Sequence, residues 1–168
     1  MKELRLAGVI RESIVDGPGI RMTVFTQGCP HHCDGCHNPN THDFDGGYIS
    51  HPENILTAID QNPLLRGVTF SGGEPFMQAG ALADLAVEIH KRNLDIITYS
   101  GFTFEQLTES FDKFPERKRL LEQTDYLIDG KFIKELRSLN LQFRGSSNQR
   151  IIDVKATLTS GQIVEKVF

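Results

Sequence analysis

The sequence predicts an α/β fold in which repeated βα units build an incomplete barrel. Short strand-like apolar runs alternate with longer runs of helical periodicity, without internal repeats or low-complexity tracts. Such alternation indicates parallel strands joined by right-handed crossovers. A complete eight-fold barrel needs about 250 residues, whereas this chain has 168. We therefore expect a partial TIM-like barrel or an open curved sheet, in a single domain spanning residues 1–168.

The first two predicted strands flank a turn. The segments "LRLAGVI" (4–10) and "RMTVFTQG" (21–28) have strand-like composition. Between them, Gly17, Pro18 and Gly19 favour a bend. The second strand leads directly into the segment that holds all the cysteines.

Helices and strands then alternate along the chain. Residues 50–62 predict a helix, with Ser50 as a capping candidate and Pro52 in the first turn. The remaining predicted elements are a strand at 67–70, a helix at Ala81–Arg92, a strand at 95–99, helices at 102–111 and 115–123, a strand at 125–129 and a closing hairpin over 151–168 that turns near Ser160 and Gly161.

Composition and charge argue against several classes of protein. The chain is 39% hydrophobic and 24% charged, which is ordinary for a globular protein, and its net charge of −4 does not favour nucleic acid as a partner. No apolar run approaches membrane-spanning length, and the first residues lack the long apolar core of a secretory signal. We expect a cytoplasmic protein without a membrane or nucleic-acid partner.

All three cysteines lie within eight residues of one loop. Cys29, Cys33 and Cys36 follow the pattern C-x3-C-x2-C, and cysteines this close together in a cytoplasmic chain indicate metal or redox chemistry. One alternative is a zinc site completed by one of the nearby histidines, and another is a set of inert buried cysteines. The third is a 4Fe-4S cluster in which three cysteines hold three irons and the fourth iron stays open for a substrate. The candidate histidines are His31, His32 and His37.

Other polar segments follow later strands and should lie at the same edge of the sheet. In "SGGEP", Gly72 and Gly73 would let the backbone approach a ligand beside Glu74, although the motif could be only a strand-to-helix turn. Asp129 and Lys131 in "DGK" could contact a ligand or form a solvated turn. The loop "FRGSSNQR" (143–150) suits either backbone turns or a polar ligand.

Together these motifs resemble the radical S-adenosylmethionine superfamily. The resemblance is carried by "GPGIRMTVFTQGCPHHCDGCHNP" followed by "SGGEP". Within the superfamily the chain is most similar to activating enzymes of glycyl radical enzymes. The short length, "DGPGIR", "GCHNP", "DGKF" and "RGSSNQR" resemble those that serve anaerobic ribonucleoside-triphosphate reductases. Larger activating enzymes often carry additional cysteine-rich cluster domains, for which this chain has no cysteines.

The resemblance implies a set of cofactor ligands. Cys29, Cys33 and Cys36 would hold a 4Fe-4S cluster whose free iron binds the amino and carboxylate groups of S-adenosylmethionine. Many relatives have an aromatic residue just before the third cysteine, where this chain has a glycine; the nearest flat ring is the imidazole of the histidine that follows. The implied S-adenosylmethionine contacts are Gly35, Cys36 and His37 near the adenosine end, Gly72 and Gly73 at the methionine amino group with Glu74 beside them, Ser100 at the ribose or carboxylate, and the pair Asp129 and Lys131.

The activity implied by the resemblance is a one-electron reaction on a protein substrate. The reduced cluster would cleave S-adenosylmethionine to methionine and a 5′-deoxyadenosyl radical, which takes a hydrogen from the Cα of a glycine in the anaerobic (class III) ribonucleoside-triphosphate reductase. A flavodoxin-like or other low-potential protein would supply the electron. Activation of another target and a non-catalytic zinc or iron-sulfur protein remain open, as does pairing of the chain with itself as a homodimer.

Overall fold

One mixed β-sheet runs through the protein, all of whose residues 1–168 are described by a computed structural model. Its strands are β1 (Leu4–Ser13), β2 (Arg21–Thr26), β3 (Tyr48–Ser50), β4 (Gly67–Gly72), β5 (Asp95–Tyr99), β6 (Tyr126–Asp129) and β7 (Arg150–Asp153). The helices are α1 (Pro52–Asp60), α2 (Ala79–His90), α3 (Phe104–Glu109), α4 (Pro115–Gln123) and α5 (Val154–Ser160). None of them combines the length and the apolar character that crossing a membrane requires.

The seven strands form an open sheet in the order β3-β1-β2-β4-β5-β6-β7. The central strands β2, β4, β5 and β6 are parallel, as predicted. The strands β1, β3 and β7 pair antiparallel with their neighbours, so the sheet is mixed and not parallel throughout. Only a turn joins β1 to β2, and a connection this short permits antiparallel pairing alone. The α/β class and the unclosed architecture are confirmed.

The closing hairpin predicted over 151–168 is wrong. Strand β7 ends at Asp153, whose Oδ1 accepts a hydrogen bond from the Ala156 backbone N–H at 3.0 Å and so caps helix α5. Gly161, with φ of 75°, ends this helix in the left-handed conformation. The chain then returns along β7, where Asp153 N–H donates to Val164 O and Lys166 N–H donates to Ile151 O, both at 2.8 Å. The reversal near Ser160 and Gly161 is present, but a helix precedes it.

The helices cover one face of the sheet. Helix α2 is the longest of them, and it buries Leu82, Leu85 and Ile89 in the main apolar core. Apolar side chains of α1, α3, α4 and α5 join the same core, together with alternate residues of the strands. The helices cover a face of the sheet and not the carboxyl ends of its parallel strands. The loops that follow those ends are where open α/β sheets bind ligands.

The turn between β1 and β2 packs onto the opposite face. Arg21 is fully buried there, where its Nε donates to Thr69 Oγ1 at 2.9 Å and its Nη2 lies 2.5 Å from Asp95 Oδ1. Gly17 lies against Ile97, because a Cβ added to this glycine would come within 2.6 Å of Ile97 Cδ1. The segment "DGPGIR" thus ties β2, β4 and β5 together.

Candidate functional site

The three cysteines lie in the loop that follows β2, at the carboxyl edge of the parallel strands. Residues 27–42 form this loop, which we call the cysteine loop. At its base, Gly28 N–H donates to Thr41 O at 2.7 Å and Cys29 N–H donates to His42 O at 3.2 Å. The loop is therefore closed on itself.

The cysteines are free thiols in different environments. Cys29 is buried, whereas Cys33 and Cys36 are partly exposed. Burial raises the pKa of the Cys29 thiol, and the pKa of Cys33 is raised for the same reason. The side chains do not form a ready-made group of three metal ligands in this structure. Their chemistry does fit an iron-sulfur cluster, since thiolates are the ligands that hold the irons of such clusters and all three lie in one short loop.

The glycine pair at the end of β4 packs against the start of the cysteine loop. A Cβ on Gly73 would lie 2.3 Å from Gly28 O, and one on Gly72, whose φ is 96°, would lie 2.5 Å from Thr26 N. Two backbone hydrogen bonds of 2.8 Å cross the same contact, from Gly73 N–H to Thr26 O and from Glu74 N–H to Gly28 O. Side chains at 72 and 73 would separate the two segments.

Glu74 joins the cysteine loop to the segment after β5. Its fully buried carboxylate accepts hydrogen bonds from Ser100 Oγ at 2.9 Å, Gly101 N–H at 2.8 Å and Phe76 N–H at 3.0 Å. The Nε2 of His31 lies 2.7 Å from Glu74 Oε1. Both carboxylate oxygens are therefore engaged within the protein, and Glu74 connects three separate segments of the chain.

The histidines proposed as a fourth zinc ligand have other contacts. The Nε2 of His31 is engaged by Glu74, and its ring meets Phe102 edge-on with centroids 4.6 Å apart. His32 packs edge-on against His42, with ring centroids 5.0 Å apart. His37 packs against Phe132.

Asp129 is paired within the protein at the end of β6. Its carboxylate, which is 1% exposed, accepts from Arg150 Nη2 at 2.6 Å and from Phe104 N–H at 2.8 Å. Hydrogen bonds to Asp129 and Glu105 raise the pKa of Arg150. Lys131 is exposed and lines, with Asp129 and Gly101, an adjoining cavity of about 500 Å³. The cation of Lys131 is thus available to a ligand, whereas the carboxylate of Asp129 is neutralised.

The loop at 143–150 holds the segment that contains Lys131. Gln149 Nε2 donates to Gly130 O at 3.0 Å, and Asn148 Nδ2 donates to Lys131 O at 2.8 Å. Gln149 Oε1 also accepts from the Gly145 N–H within the loop. Many of the loop's polar groups are therefore used internally.

The far end of the cysteine loop meets the chain after β6. The ring of His37 packs against Phe132, with centroids 4.9 Å apart. Gly35 has a φ of 73°, and a Cβ at this position would lie 3.4 Å from Phe132 Cε1. Gly145 lies against both rings, because a Cβ added to it would come within 2.9 Å of Phe132 Cδ2 and 3.3 Å of His37 Cε1. Gly35 and His37 therefore share a surface with Phe132, which the sequence did not single out.

Most of the predicted site residues gather into three contacting groups. The first group contains Gly72, Gly73, Glu74 and Ser100, and Glu74 binds Gly28, the residue next to Cys29. The second contains Asp129 and Lys131, which line the neighbouring cavity. In the third, Gly35 and His37 lie against Phe132. The sequence did not predict the contacts of Glu74 with His31 or of Asp129 with Arg150. The second arginine of "RGSSNQR" was the only local signal for the latter pair.

A family model matches most of the chain. Residues 15–152 match the 4Fe-4S single cluster domain, and this span includes Cys29, Cys33 and Cys36. Among solved structures, QueE from Escherichia coli is similar with a TM-score of 0.48 and 18% identity, over 60% of this chain and 53% of QueE. A likeness of that size supports no further argument.

Several curated relatives share one name, anaerobic ribonucleoside-triphosphate reductase-activating protein. The protein from Vibrio cholerae is 36% identical over 146 residues, which cover 82% of this chain and 90% of the relative. The Salmonella typhimurium protein is 32% identical, over 81% of this chain and 90% of the relative. The Enterobacteria phage T4 protein is 30% identical, over 82% of this chain and 86% of the relative. This chain therefore belongs to the family of anaerobic ribonucleoside-triphosphate reductase-activating proteins and contains a 4Fe-4S single cluster domain.

Proposed function

We propose that this chain is an activating enzyme of the radical S-adenosylmethionine type that generates a glycyl radical on an anaerobic ribonucleoside-triphosphate reductase. The observation that carries the proposal is the cysteine loop itself. It holds three thiols at C-x3-C-x2-C spacing, and the backbone N–H of Glu74 binds Gly28 O at its base. The names of the relatives in this family supply the identity of the protein substrate.

Cys29, Cys33 and Cys36 would hold the 4Fe-4S cluster. When bound and reduced, the cluster supplies one electron that cleaves S-adenosylmethionine, and the resulting organic radical takes a hydrogen atom from the glycine Cα. The burial of Cys29 limits the access of water to that thiol, whereas Cys33 and Cys36 are partly exposed and can be reached by a ligand. The protein thus contributes position and exclusion of water, and the cofactors contribute the redox chemistry.

The other proposed residues would orient S-adenosylmethionine in different ways. Lys131, at the 500 Å³ cavity, would present a cation to a carboxylate or ribose oxygen. Glu74 and Asp129 would act by fixing the loops around the ligand, because their carboxylate oxygens already accept hydrogen bonds from the protein. The remaining proposed contacts are Gly35, Cys36, His37, Gly72, Gly73 and Ser100.

The wider setting follows from the same chemistry. Each cleavage consumes one electron, so a low-potential donor such as a flavodoxin-like protein must deliver it. We place this activity in the cytoplasm and in one domain that spans residues 1–168. Pairing of the chain with itself as a homodimer is compatible with the proposal but is not needed for it.

The experiment that tests the proposal is anaerobic. The protein is reconstituted with iron and sulfide, reduced with dithionite and mixed with S-adenosylmethionine, with and without the reductase. We expect 5′-deoxyadenosine and, with the reductase, a glycyl radical signal in electron paramagnetic resonance. The variant Cys33→Ser should lose both products, whereas His32→Gln, beside it in the same loop, should retain them. His32 is exposed, and its side chain makes no hydrogen bond within the protein.

The outcomes separate the parts of the proposal. Cleavage without a glycyl radical would overturn the assignment of the reductase as substrate and leave the radical chemistry. Absence of cleavage by protein with a verified 4Fe-4S cluster would overturn the enzyme assignment. In that case the cysteines would serve simple electron transfer.

A further inference from the structure

The segment at 131–144, between β6 and the loop that leads to β7, differs in charge from the rest of the chain. It contains four basic residues and a single acidic one, for a net charge of +3, in a chain whose total is −4. The basic residues are Lys131, Lys134, Arg137 and Arg144. We call residues 131–144 the basic segment. Its charge would attract an acidic partner.

Hydrogen bonds to the following loop hold the basic segment in a defined shape. Ile133 N–H donates to Ser146 Oγ at 3.1 Å, and Ser147 N–H donates to Leu136 O at 2.9 Å. Arg137 and Ser146 also form an isolated antiparallel bridge. The backbone is therefore pinned at several points along its length, which suits a preformed docking surface.

The basic segment also exposes apolar side chains. Ile133, Leu136 and Leu139 are 38%, 42% and 104% exposed, so Leu139 makes almost no contact with its own protein. Single exposed leucines are common, but these three lie on one short segment and alternate with cations. Exposed apolar side chains grouped beside arginine are a feature of protein-binding surfaces.

The same segment borders the cysteine loop. Phe132 packs against His37, and the side-chain carbons of Lys134 lie 3.5 and 3.6 Å from the position that a Cβ on Gly35 would take. A polypeptide that brings a glycine to the cysteine loop from this side must cross the basic segment. Residues that flank that glycine would therefore meet Leu136, Arg137 and Leu139.

We propose that the basic segment docks an acidic, partly apolar stretch of the reductase close to the glycine that becomes the radical. This inference rests on the proposed function and adds the surface that recognises the protein substrate. The apolar side chains of Leu136 and Leu139 would be buried on docking, and Arg137 would pair with a carboxylate. Burial of the leucines would account for affinity, and the cations would speed association and orient the partner.

The test compares substitutions in the basic segment with matched substitutions elsewhere. Leu139→Ser and Arg137→Glu change exposed residues whose side chains make no hydrogen bond or ion pair with the cysteine loop. Leu64→Ser is the apolar control, since Leu64 is 66% exposed in the turn before the amino end of β4, whereas the cysteine loop follows the carboxyl end of β2. Lys118→Glu, on the exposed side of α4, is the charge control. Binding of each reconstituted protein to the reductase is measured anaerobically as a Kd, at low and high salt.

We expect Leu139→Ser and Arg137→Glu each to raise the Kd by about tenfold, while the two controls leave it within about twofold. The salt dependence should weaken in Arg137→Glu. Cleavage of S-adenosylmethionine in the absence of reductase should be unchanged in all four variants. Kd values of Leu139→Ser and Arg137→Glu equal to that of the wild type would overturn the docking proposal. This outcome is separate from the test of function, which depends on glycyl radical formation by the wild type. Docking would likewise be refuted if the controls weakened binding as much.

Discussion

Replacement of Glu74 by glutamine tests whether this carboxylate holds the cysteine loop in place. Glu74 is fully buried and accepts hydrogen bonds from Ser100 Oγ and from the backbone N–H groups of Gly101 and Phe76, with His31 Nε2 at 2.7 Å. Every polar group facing it can donate. Glutamine keeps the shape of the side chain but replaces one acceptor oxygen with an NH₂ group, which can only donate.

The cost of this substitution can be worked from these contacts. If the amide oxygen occupies the position nearest His31, the NH₂ group faces the Phe76 N–H, and that buried donor loses its acceptor at a cost of about 2 kcal/mol. The remaining bonds change from charge-assisted to neutral, which removes about 1 kcal/mol more. We therefore expect Glu74→Gln to lower the free energy of unfolding by about 3 kcal/mol.

The assay is urea unfolding of the cluster-free protein, followed by the iron content of each variant after anaerobic reconstitution. Glu116→Gln is the control, because Glu116 is exposed and its carboxylate makes no hydrogen bond or ion pair. We expect the control to match the wild type in both measurements. A Glu74→Gln protein within about 0.5 kcal/mol of the wild type, with full iron content, would refute the bracing role of Glu74.

Three further predictions concern stability away from the cysteine loop. Arg21→Met should lower the free energy of unfolding by about 3 kcal/mol, because it removes the buried partner of Asp95 and the donor to Thr69 Oγ1 and Val68 O. Arg66→Met, at an exposed pair, should cost less than about 1 kcal/mol in the same urea titration. The hydrogen bond to Asp125 raises the pKa of His90. The stabilisation by protonated His90 is therefore fully present below about pH 6.5 and is lost as pH rises through the raised pKa. The free energies of unfolding of wild type and His90→Gln should differ by about 0.5 kcal/mol at pH 5.5 and converge in alkaline solution. Gly161→Ala should cost about 1 kcal/mol in thermal unfolding, because the φ of 75° disfavours a side chain, and an unchanged melting temperature would contradict this.

The sequence predicted most of the fold because its core residues recur with the period of each element. The helix predicted at Ala81–Arg92 is α2 at Ala79–His90, and the predicted strand at 95–99 is β5 with the same bounds. The hairpin prediction failed because the residues after β7 combine strand-like composition with a helix cap. One hydrogen bond from the Ala156 N–H to Asp153 starts the helix there. Composition over a window does not resolve a contact of that kind.

The candidate site was predictable where its residues are adjacent in sequence. The spacing of Cys29, Cys33 and Cys36 is local, so the pattern was visible directly. The bond between Glu74 and His31 joins residues 43 positions apart, and only the folded chain shows it. A motif indicates that a carboxylate is present but not which donors surround it. For that reason, Glu74 was predicted as a ligand contact and its internal partners were not foreseen.

The cysteine loop is supported at two places by residues distant in sequence. Glu74 engages His31 near the beginning of the loop, and Phe132 packs against His37 near its end. Phe132 in turn lies beneath Gly145, where a Cβ would come within 2.9 Å of the phenyl ring and 3.3 Å of the imidazole. A side chain at position 145 would displace one of the two rings. The glycine of "RGSSNQR" is therefore a steric requirement of the ring packing that supports the far end of the cysteine loop, and Gln149 Oε1, which accepts a hydrogen bond from the Gly145 N–H at 2.9 Å, holds this glycine in place.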